Sequence, residues 1–256
     1  MLAMQPLDIP IEEKIIYLAR LNAAQVSEEE RSTLSFNGRK YHRYMDCFYT
    51  YNELSEMDKD EVELLSSLRI EKDSEVIDYD YTKAVISYLL SISVEASNES
   101  TIIDFGCGNG ILAEVLKEGK FNVKSLIGLD LASFALKTAE KAYNKNLPDS
   151  VTKTRFFYKN NKLEELDNTV DTIISSFVMH FPVFESQLRE FFRVLKPNGK
   201  FVYNDYIHHK QPAHYKKILQ MLKVIGFTCK ETTFSLKSSY SNKVGSHRIV
   251  ECLKPE

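Results

Sequence analysis

The sequence predicts an α/β fold whose central sheet is mostly parallel. From residue 101 onward, short apolar runs alternate with amphipathic stretches of helical length, which is the pattern of repeated βα units. One apolar run ends in an acid followed by a glycine-rich loop, and the next run ends in a second acid. Both features are typical of sheets that bind a nucleotide-like ligand at their carboxyl edge.

The glycine-rich loop lies within residues 101–110, whose sequence is Thr-Ile-Ile-Asp-Phe-Gly-Cys-Gly-Asn-Gly. Glycine at positions 106, 108 and 110 allows a sharp turn out of the strand and a close approach of the backbone to a ligand. A pyrophosphate favours bare amides at a helix N-terminus, and Asp104 would repel it. The loop therefore favours a cationic ligand over a dinucleotide.

The second acid, Asp130, ends the apolar run over residues 124–129. A carboxylate at this position is suited to accept hydrogen bonds from both hydroxyls of a ribose. The alternative is that Asp130 caps the helix that follows. Together the two acids predict a nucleoside ligand that carries a positive charge.

Periodicity places the other elements of this half of the chain. The predicted strands cover residues 101–105, 124–129, 153–158, 170–175, 199–205, 227–235 and 246–253. The predicted helices cover residues 110–118, 132–145, 184–194 and 212–224. A glycine at position 226 ends the last helix and leads into a strand.

At these residues the chain resembles the class I S-adenosylmethionine-dependent methyltransferases of the small-molecule type. The stretch Val170-Asp-Thr-Ile-Ile-Ser-Ser-Phe-Val-Met-His-Phe181 is similar to the fourth strand and following loop of that family. The stretch Arg193-Val-Leu-Lys-Pro-Asn-Gly-Lys-Phe-Val-Tyr203 is similar to its fifth strand, although the family usually has two glycines after the proline. The resemblance covers roughly residues 100–253. It implies a seven-stranded Rossmann-like sheet of order 3-2-1-4-5-7-6 with the seventh strand antiparallel.

The resemblance also implies S-adenosylmethionine as the cofactor and S-adenosylhomocysteine as its product. Asp104 would hold the ammonium group of the donor, Asp130 its ribose, and Leu131 would lie against the adenine. The family tends to have an acid after the third strand; here Asn160 is expected to meet the adenine amine through its carbonyl oxygen. The residues expected to contact the donor are Asp104, Gly106, Cys107, Gly108, Gly110, Asp130, Leu131, Asn160, Ser176, Phe177 and Tyr81.

The acceptor side is predicted from aromatic and imidazole side chains. The family often has a histidine at the position of His180, and an imidazole there would accept a proton at neutral pH. The expected substrate contacts are Tyr44, Tyr206, His208 and His209. The alternatives are that His180 only packs, that the tyrosines fasten one domain to the other, and that the histidines lie on a solvated loop. No metal is expected, because the spacing of the histidines matches no common zinc pattern.

The first hundred residues show helical rather than strand periodicity. Helices are expected over about residues 8–25, 54–69 and 75–93. The prediction is a helical cap over residues 1–95, packed on the carboxyl edge of a core that covers residues 96–256. Side chains of this cap would line the acceptor pocket.

Composition limits the classes of function. The chain has 256 residues and a formal net charge of −3, and its basic residues are not gathered into a run, so a nucleic-acid partner is not expected. Its four cysteines lack metal-ligand spacing, and no membrane-length apolar run is present, so a cytoplasmic protein without membrane contact is expected. Cys229 and Cys252 are predicted to face each other as reduced thiols. The oligomeric state has no signal in the sequence.

Three functions follow from these observations. The first is methyl transfer from S-adenosylmethionine to oxygen or nitrogen of a small molecule, achieved mainly by proximity and alignment of the reactants. The second is methylation of RNA or of a protein side chain. The third is a methyltransferase-like protein that binds without turnover, since a fold alone does not prove activity.

Overall fold

The computed structural model describes residues 16–17, 32–36, 39–44, 47–50, 79–95, 99–131, 133–157, 162–179, 181, 183–206, 212–237 and 244–256. The chain divides into two units, Met1–Ile77 and Asp78–Glu256. The division precedes the helix that was expected over residues 75–93 and had been assigned to a cap ending at residue 95. The two units are described separately.

The described part of the first unit is an antiparallel sheet of order β1-β4-β3-β2. Its strands are β1 (Ile16–Tyr17), β2 (Ser32–Phe36), β3 (Arg39–Tyr44) and β4 (Cys47–Thr50). The helix expected over residues 8–25 is therefore wrong at Ile16–Tyr17. Threonine, tyrosine and phenylalanine recur in these strands and favour a pleated backbone over a helix. The helix expected over residues 54–69 lies outside the described residues.

The second unit is a three-layered α/β structure. Its strands are β5 (Ser100–Phe105), β6 (Val123–Asp130), β7 (Thr152–Phe157), β8 (Val170–Ser175), β9 (Leu195–Tyr206), β10 (Thr228–Lys237) and β11 (Val244–Leu253). Its helices are α1 (Tyr79–Ser93), α2 (Ile111–Glu118), α3 (Ser133–Asn146), α4 (Glu185–Val194) and α5 (Pro212–Ile225). The helices and strands expected from residue 101 onward are confirmed, with ends that shift by a few residues.

The sheet has the order β10-β11-β9-β8-β5-β6-β7. Counted from β5 as the first strand, this is the predicted order 3-2-1-4-5-7-6, and β11 is antiparallel to both of its neighbours. The central pairs β5–β6, β5–β8 and β8–β9 are parallel. The carboxyl ends of β5, β6, β8 and β9 consequently meet at one edge of the sheet.

Two apolar clusters hold the layers together. One lies between the sheet and α1, α2 and α3, and the other lies between the opposite face and α4 and α5. Fully buried aliphatic side chains dominate both clusters, and each contributes about 1.5–3 kcal/mol to folding. None of the helices in the described ranges is both long enough and apolar enough to cross a bilayer.

Helix α1 packs on the sheet of the second unit. Near its end, the Thr172 hydroxyl of β8 donates to the carbonyl of Ser93 at 3.0 Å, and the Lys200 ammonium of β9 donates to that of Ile92 at 2.8 Å. The opposite end of α1 reaches the carboxyl edge, where Tyr81 contacts His247 of β11. The helix therefore spans the sheet from its amino edge to the edge that carries the glycine-rich loop.

Candidate active site

The glycine-rich loop leaves β5 at the carboxyl edge and leads into α2. Positive φ angles occur at Gly106 (74°), Gly108 (48°) and Gly110 (77°), a region that residues with a β-carbon rarely occupy. The amides of Gly106 and Cys107 donate to the carbonyl of Leu129 on β6, at 2.8 and 3.0 Å. These bonds fix the loop across the ends of two neighbouring strands.

The surroundings of the three glycines differ. A β-carbon at Gly106 would lie 2.2 Å from Cγ2 of Val178, and one at Gly110 would lie 2.9 Å from Cα of Ala139. A β-carbon at Gly108 would lie 3.9 Å from the carbonyl oxygen of Gly106, and no other described atom would come closer. Gly106 and Gly110 therefore permit close packing of the loop, whereas the described residues leave room for a side chain at Gly108.

Asp104 points into a buried environment at the end of β5. Its side chain is 4% exposed. Among the described residues, the hydroxyl of Tyr143 donates a long hydrogen bond of 3.5 Å to its Oδ2. Burial, with repulsion from Asp130 as a smaller cause, raises the pKa of Asp104 to about 7. A carboxylate in this position is stabilised when a cation binds beside it.

Asp130, at the end of β6, is also buried and faces the loop. Its Oδ2 accepts a hydrogen bond of 2.9 Å from the amide of Gly108. A carboxylate offers about four acceptor positions on two oxygens, so this bond is compatible with additional donors such as the two hydroxyls of a ribose. Asp130 thereby links the loop to the position expected for a sugar.

Two further side chains lie beneath the loop. Cys107 is buried, and burial raises the pKa of its thiol well above the ordinary value, so the sulfur stays protonated. Tyr143 of α3 is fully buried, and a β-carbon at Gly128 would lie 2.5 Å from its hydroxyl. Tyr143 was not predicted, because its position on a helix, 39 residues after Asp104, carries no local motif. Both side chains support the loop from its buried side.

The loop after β8 packs against the glycine-rich loop. The hydroxyl of Ser175 donates to the carbonyl of Phe105 at 3.0 Å and ties β8 to β5. Phe177 has a φ of 59°, which is unusual for an aromatic residue. Its amide donates to Oδ1 of Asn204 on β9 at 2.9 Å. Ser176 and Phe177, both expected beside the donor, are half-buried at this edge.

Tyr81 and His247 complete the described edge. The Tyr81 hydroxyl is hydrogen-bonded to Nε2 of His247, and the rings of Tyr81 and Phe177 lie 6.4 Å apart. His247 is completely buried, and burial lowers its pKa to about 4, so the imidazole is neutral at physiological pH. The structure thus brings together Tyr81, which was predicted, with Asn204 and His247, whose roles were not.

The remaining predicted site residues fall into three groups. Leu131 is half-buried directly after β6. Tyr44 and Tyr206 lie on β3 and β9, and their side chains are outside the described part of the structure. Asn160, His180, His208 and His209 lie outside the described residues altogether. The roles predicted for these residues stay predictions.

Two further polar residues, His214 and Asp205, have structural partners near this edge. His214 lies in the first turn of α5 and donates from Nε2 to the carbonyl of Met179 at 3.1 Å. Asp205 is buried and lies 3.6 Å from the Arg248 guanidinium. His214 therefore holds the chain just before residue 180, and Asp205 is engaged in an ion pair of the fold.

The acids at this edge have the charge and acceptors to hold a cationic nucleoside. Within the described ranges, no three side chains of the His, Cys, Asp or Glu types come close enough to bind a metal. A buried carboxylate of raised pKa could pair with an ammonium group, and a second carboxylate on the next strand could accept from a ribose. This edge of a parallel sheet is also where open α/β sheets bind ligands.

Solved structures share this fold. The YcgJ protein of Bacillus subtilis has a TM-score of 0.54 and 14% identity, and the match covers 69% of this chain and 99% of that protein. Magnesium protoporphyrin IX methyltransferase of Synechocystis, solved with bound S-adenosylhomocysteine, has a TM-score of 0.54 and 17% identity. That match covers 77% of this chain and all of the Synechocystis chain.

Sequence comparisons point to the same family. Ribosomal protein L11 methyltransferases of two Clostridium botulinum strains are 25% identical over 113 residues, which is 44% of this chain and 34% of theirs. The chain thus spans about a third of the length of these curated relatives. A family model described as a methyltransferase domain matches residues 96–248. Since that match covers more than half of the chain, the protein belongs to this methyltransferase-domain family.

Proposed function

We propose that this enzyme transfers the methyl group of S-adenosylmethionine to oxygen or nitrogen of a small molecule. The observation that carries the proposal is the pair of buried carboxylates, Asp104 and Asp130, at the ends of neighbouring parallel strands on either side of the glycine-rich loop. Asp104 offers a charge to an ammonium group, and Asp130 offers acceptors to a ribose. The two groups suit opposite ends of one cationic nucleoside.

The chemistry requires little from the protein beyond alignment. Bound S-adenosylmethionine supplies an activated methyl group on a positively charged sulfur. The residues of the carboxyl edge orient it, and positioning of this kind accounts for up to about 7–11 kcal/mol of a barrier. The loop after β8 that contains Phe177, called the Phe177 loop, packs against Tyr81. In this proposal these two form the side of the pocket nearest to the methyl group of the donor. In this proposal Cys107 and Tyr143 support the loop and take no part in the reaction.

A small acceptor is supported by the short connections at the carboxyl edge of the second unit. The chain between β9 and α5 consists of residues 207–211, and the chain between β10 and β11 consists of residues 238–243. Neither connection is long enough to hold an inserted substrate domain. Within this proposal His180 is the base, Tyr44, Tyr206, His208 and His209 contact the acceptor, and the first unit closes the pocket in a cytoplasmic enzyme.

A protein side chain is the second candidate acceptor. It is favoured by the 25% identity to enzymes named for methylating ribosomal protein L11, although that similarity covers 44% of this chain. Incubation with a methyl-labelled donor tests both candidates in one experiment. Label recovered in a small molecule other than the donor supports the first candidate. Label that precipitates with added ribosomal protein supports the second. Binding of the donor without transfer to either would indicate a silent enzyme.

The ribose assignment predicts the behaviour of Asp130 variants. Asp130→Ala should weaken binding of S-adenosylhomocysteine by about 1–3 kcal/mol, because two hydroxyls would lose their acceptor. Asp130→Asn should lose less, since its amide oxygen can still accept from Gly108. Isothermal titration measures all three proteins, with Asp149→Ala at an exposed position as the matched control. Unchanged affinity in Asp130→Ala would contradict the assignment.

A further inference from the structure

Four residues from different elements form one continuous hydrogen-bonded series at the carboxyl edge. Tyr81 of α1 bonds to Nε2 of His247 on β11, and Nδ1 of His247 lies 3.3 Å from Nδ2 of Asn204 on β9. Oδ1 of Asn204 then accepts from the amide of Phe177 in the loop after β8. We call these residues the Tyr81–Phe177 relay. His247 and Asn204, its two central members, are fully buried.

The direction of every bond in the relay follows from its last member. A backbone amide can only donate, so the atom of Asn204 that faces Phe177 must be the oxygen. The amide nitrogen of Asn204 therefore faces His247, and Nδ1 of the ring must accept. A neutral imidazole with an accepting Nδ1 carries its proton on Nε2. His247 consequently donates from Nε2 to the oxygen of Tyr81.

The surroundings of His247 are consistent with a neutral ring. Among the described side chains, Tyr81 faces it from α1, Asn204 from β9, Phe177 from the loop and Phe234 from the paired position on β10. Of these only Tyr81 titrates, and none carries a charge at neutral pH. An imidazolium would place an N–H of Nδ1 against the N–H group of Asn204, which would break the relay at its centre.

The relay acts on the loop that shapes the methyl-transfer site. Phe177 holds a positive φ, and the edge of its ring packs against His247 with centroids 5.5 Å apart. The next residue, Val178, lies so close to Gly106 that a β-carbon there would reach within 2.2 Å of it. A displacement of Phe177 would therefore move Val178 against the glycine-rich loop.

We propose that Asn204 and His247 are positioning residues of the methyl-transfer site. With the imidazole as its Nε2–H tautomer, they hold Tyr81 and the Phe177 loop in register with the glycine-rich loop. The inference rests on the proposed function, because it assumes that this edge binds the donor. The tautomer and the geometry of the loop can nevertheless be measured without any turnover.

The first test is the tautomer of His247 in the unmodified protein. Long-range proton–nitrogen correlation spectra distinguish the two neutral tautomers and the imidazolium, and His247→Phe identifies the signal by its loss. We expect the Nε2–H tautomer at every pH from about 6 to 8. A ring protonated at Nδ1, or on both nitrogens, would overturn the proposal. This measurement needs no variant to retain activity.

The second test reverses the direction of the hydrogen bond between residue 204 and His247. In Asn204→Asp both oxygens accept, so Nδ1 of His247 must donate, and its nitrogen signal should move to that of a protonated Nδ1. The exposed substitution Asn122→Asp, with the same chemical change, should leave the His247 signal unaltered. If the His247 signal in Asn204→Asp stays that of the Nε2–H tautomer, the assigned bond between the two side chains is wrong.

The third test connects the relay to the donor site. His247→Phe keeps the ring against Phe177 but removes both hydrogen bonds, whereas His247→Asn keeps an acceptor for Asn204. We expect hydrogen exchange at the Phe177 amide to rise about tenfold in His247→Phe and to return toward the original rate in His247→Asn. S-adenosylhomocysteine should bind about fivefold more weakly to His247→Phe than to the unmodified protein.

The outcomes separate this inference from the proposed function. Failure of the unmodified protein to bind S-adenosylhomocysteine would contradict the proposed function, while the tautomer result would still stand. Faster exchange at Phe177 with unchanged affinity in His247→Phe would show that the relay orders the loop without positioning the donor, and would overturn the inference. Both losses together, with recovery in His247→Asn, support it.

Discussion

The two buried acids differ in what compensates their charge. Asp130 already accepts a backbone hydrogen bond from Gly108 at 2.9 Å, whereas Asp104 has a 3.5 Å contact with Tyr143. Burial therefore raises the pKa of Asp104 from 3.8 to about 7. This carboxyl is costly to ionise in the protein without ligand, and a bound cation offsets that cost.

The raised pKa of Asp104 predicts a pH-dependent affinity. Below pH 7 the carboxyl holds a proton that a cationic ligand must displace, so S-adenosylhomocysteine, whose amino group is charged, should bind more weakly as the pH falls. The association constant should decrease by up to about tenfold per pH unit below 7 and should level off above it. Titrations in buffers of different ionisation enthalpy should detect the released proton, and Asp104→Asn should abolish both effects.

The same shift has a consequence for stability in the absence of ligand. The unfolded chain releases this proton near pH 3.8, but the folded protein retains it up to about pH 7. The folded state therefore binds more protons between these values, and its stability should decrease as the pH rises through that window. Chemical denaturation of the unmodified protein and of Asp104→Asn, compared at pH 5 and pH 8, would show this difference.

Among the residues of the candidate site, the sequence identifies those that are close together along the chain. Asp104, the three glycines and Asp130 form one strand–loop–helix–strand motif, and each lies where it was expected. Tyr143, Asn204 and His247 come from distant segments, and His247 lies 166 positions from the tyrosine that it contacts. Contacts between residues so far apart along the chain depend on the tertiary fold, and no local sequence pattern predicts them.

At the scale of elements, the site consists of two loops packed against each other. Val178 of the loop after β8 packs closely against Gly106 of the glycine-rich loop, so a movement of one loop would displace the other. Gly108 lies in the same loop as Gly106, but a β-carbon there would make only an ordinary contact with the described residues. Gly106 is therefore needed for packing of the loop, whereas the role proposed for Gly108 is to lie against the donor.

Alanine substitutions should separate these roles. Both glycines have positive φ, so each substitution carries strain of about 1 kcal/mol. Gly106→Ala should cost several kcal/mol of folding stability, because its methyl group would overlap Val178. Gly108→Ala should cost only the strain but should weaken binding of S-adenosylhomocysteine. Denaturation and titration measure the two effects, and Gly106→Ala combined with Val178→Ala should recover part of the stability.

The elements of the second unit were predictable because each carries a regular apolar face. In the first unit the expected helical periodicity is wrong at the described strands, where β2 and β3 are paired from Phe36 and Arg39 outward. Only Asn37 and Gly38 lie between those residues, and Asn-Gly is a strong hairpin signal. That local signal was available, but the scattered leucines and isoleucines before it gave the appearance of a helical period.

At the scale of the whole molecule, both apolar clusters lie within the second unit, as do Asp104 and Asp130, the two acids proposed to hold the donor. Helix α1 belongs to this unit because its apolar side covers the sheet. The second unit has the size and the buried core of an independent domain.

This division predicts that residues 78–256 fold without the first unit. The fragment should unfold cooperatively and bind S-adenosylhomocysteine within about threefold of the full chain, because its core and its acids are intact. If the first unit closes the acceptor pocket, the fragment should lose methyl transfer while it keeps binding. Thermal unfolding, titration and a transfer assay on both proteins distinguish these results. A fragment that aggregates or melts without cooperativity would contradict the division.

The reversed direction of β11 brings its first residues, including His247, to the edge with the acids and takes its last residues to the far edge. There the amide of Asn198 donates to the carbonyl of Lys254 at 2.8 Å, and the amide of Lys254 donates to the carbonyl of Gly199 at 3.0 Å. The side-chain amide of Asn198 also donates to the Glu256 carboxylate at 3.2 Å. A peptide fused behind Glu256 would therefore leave the sheet on the side away from Asp104. Attachment to a sensor surface through such a peptide would keep the edge that carries Asp104 turned toward the solution, where added S-adenosylhomocysteine could reach it.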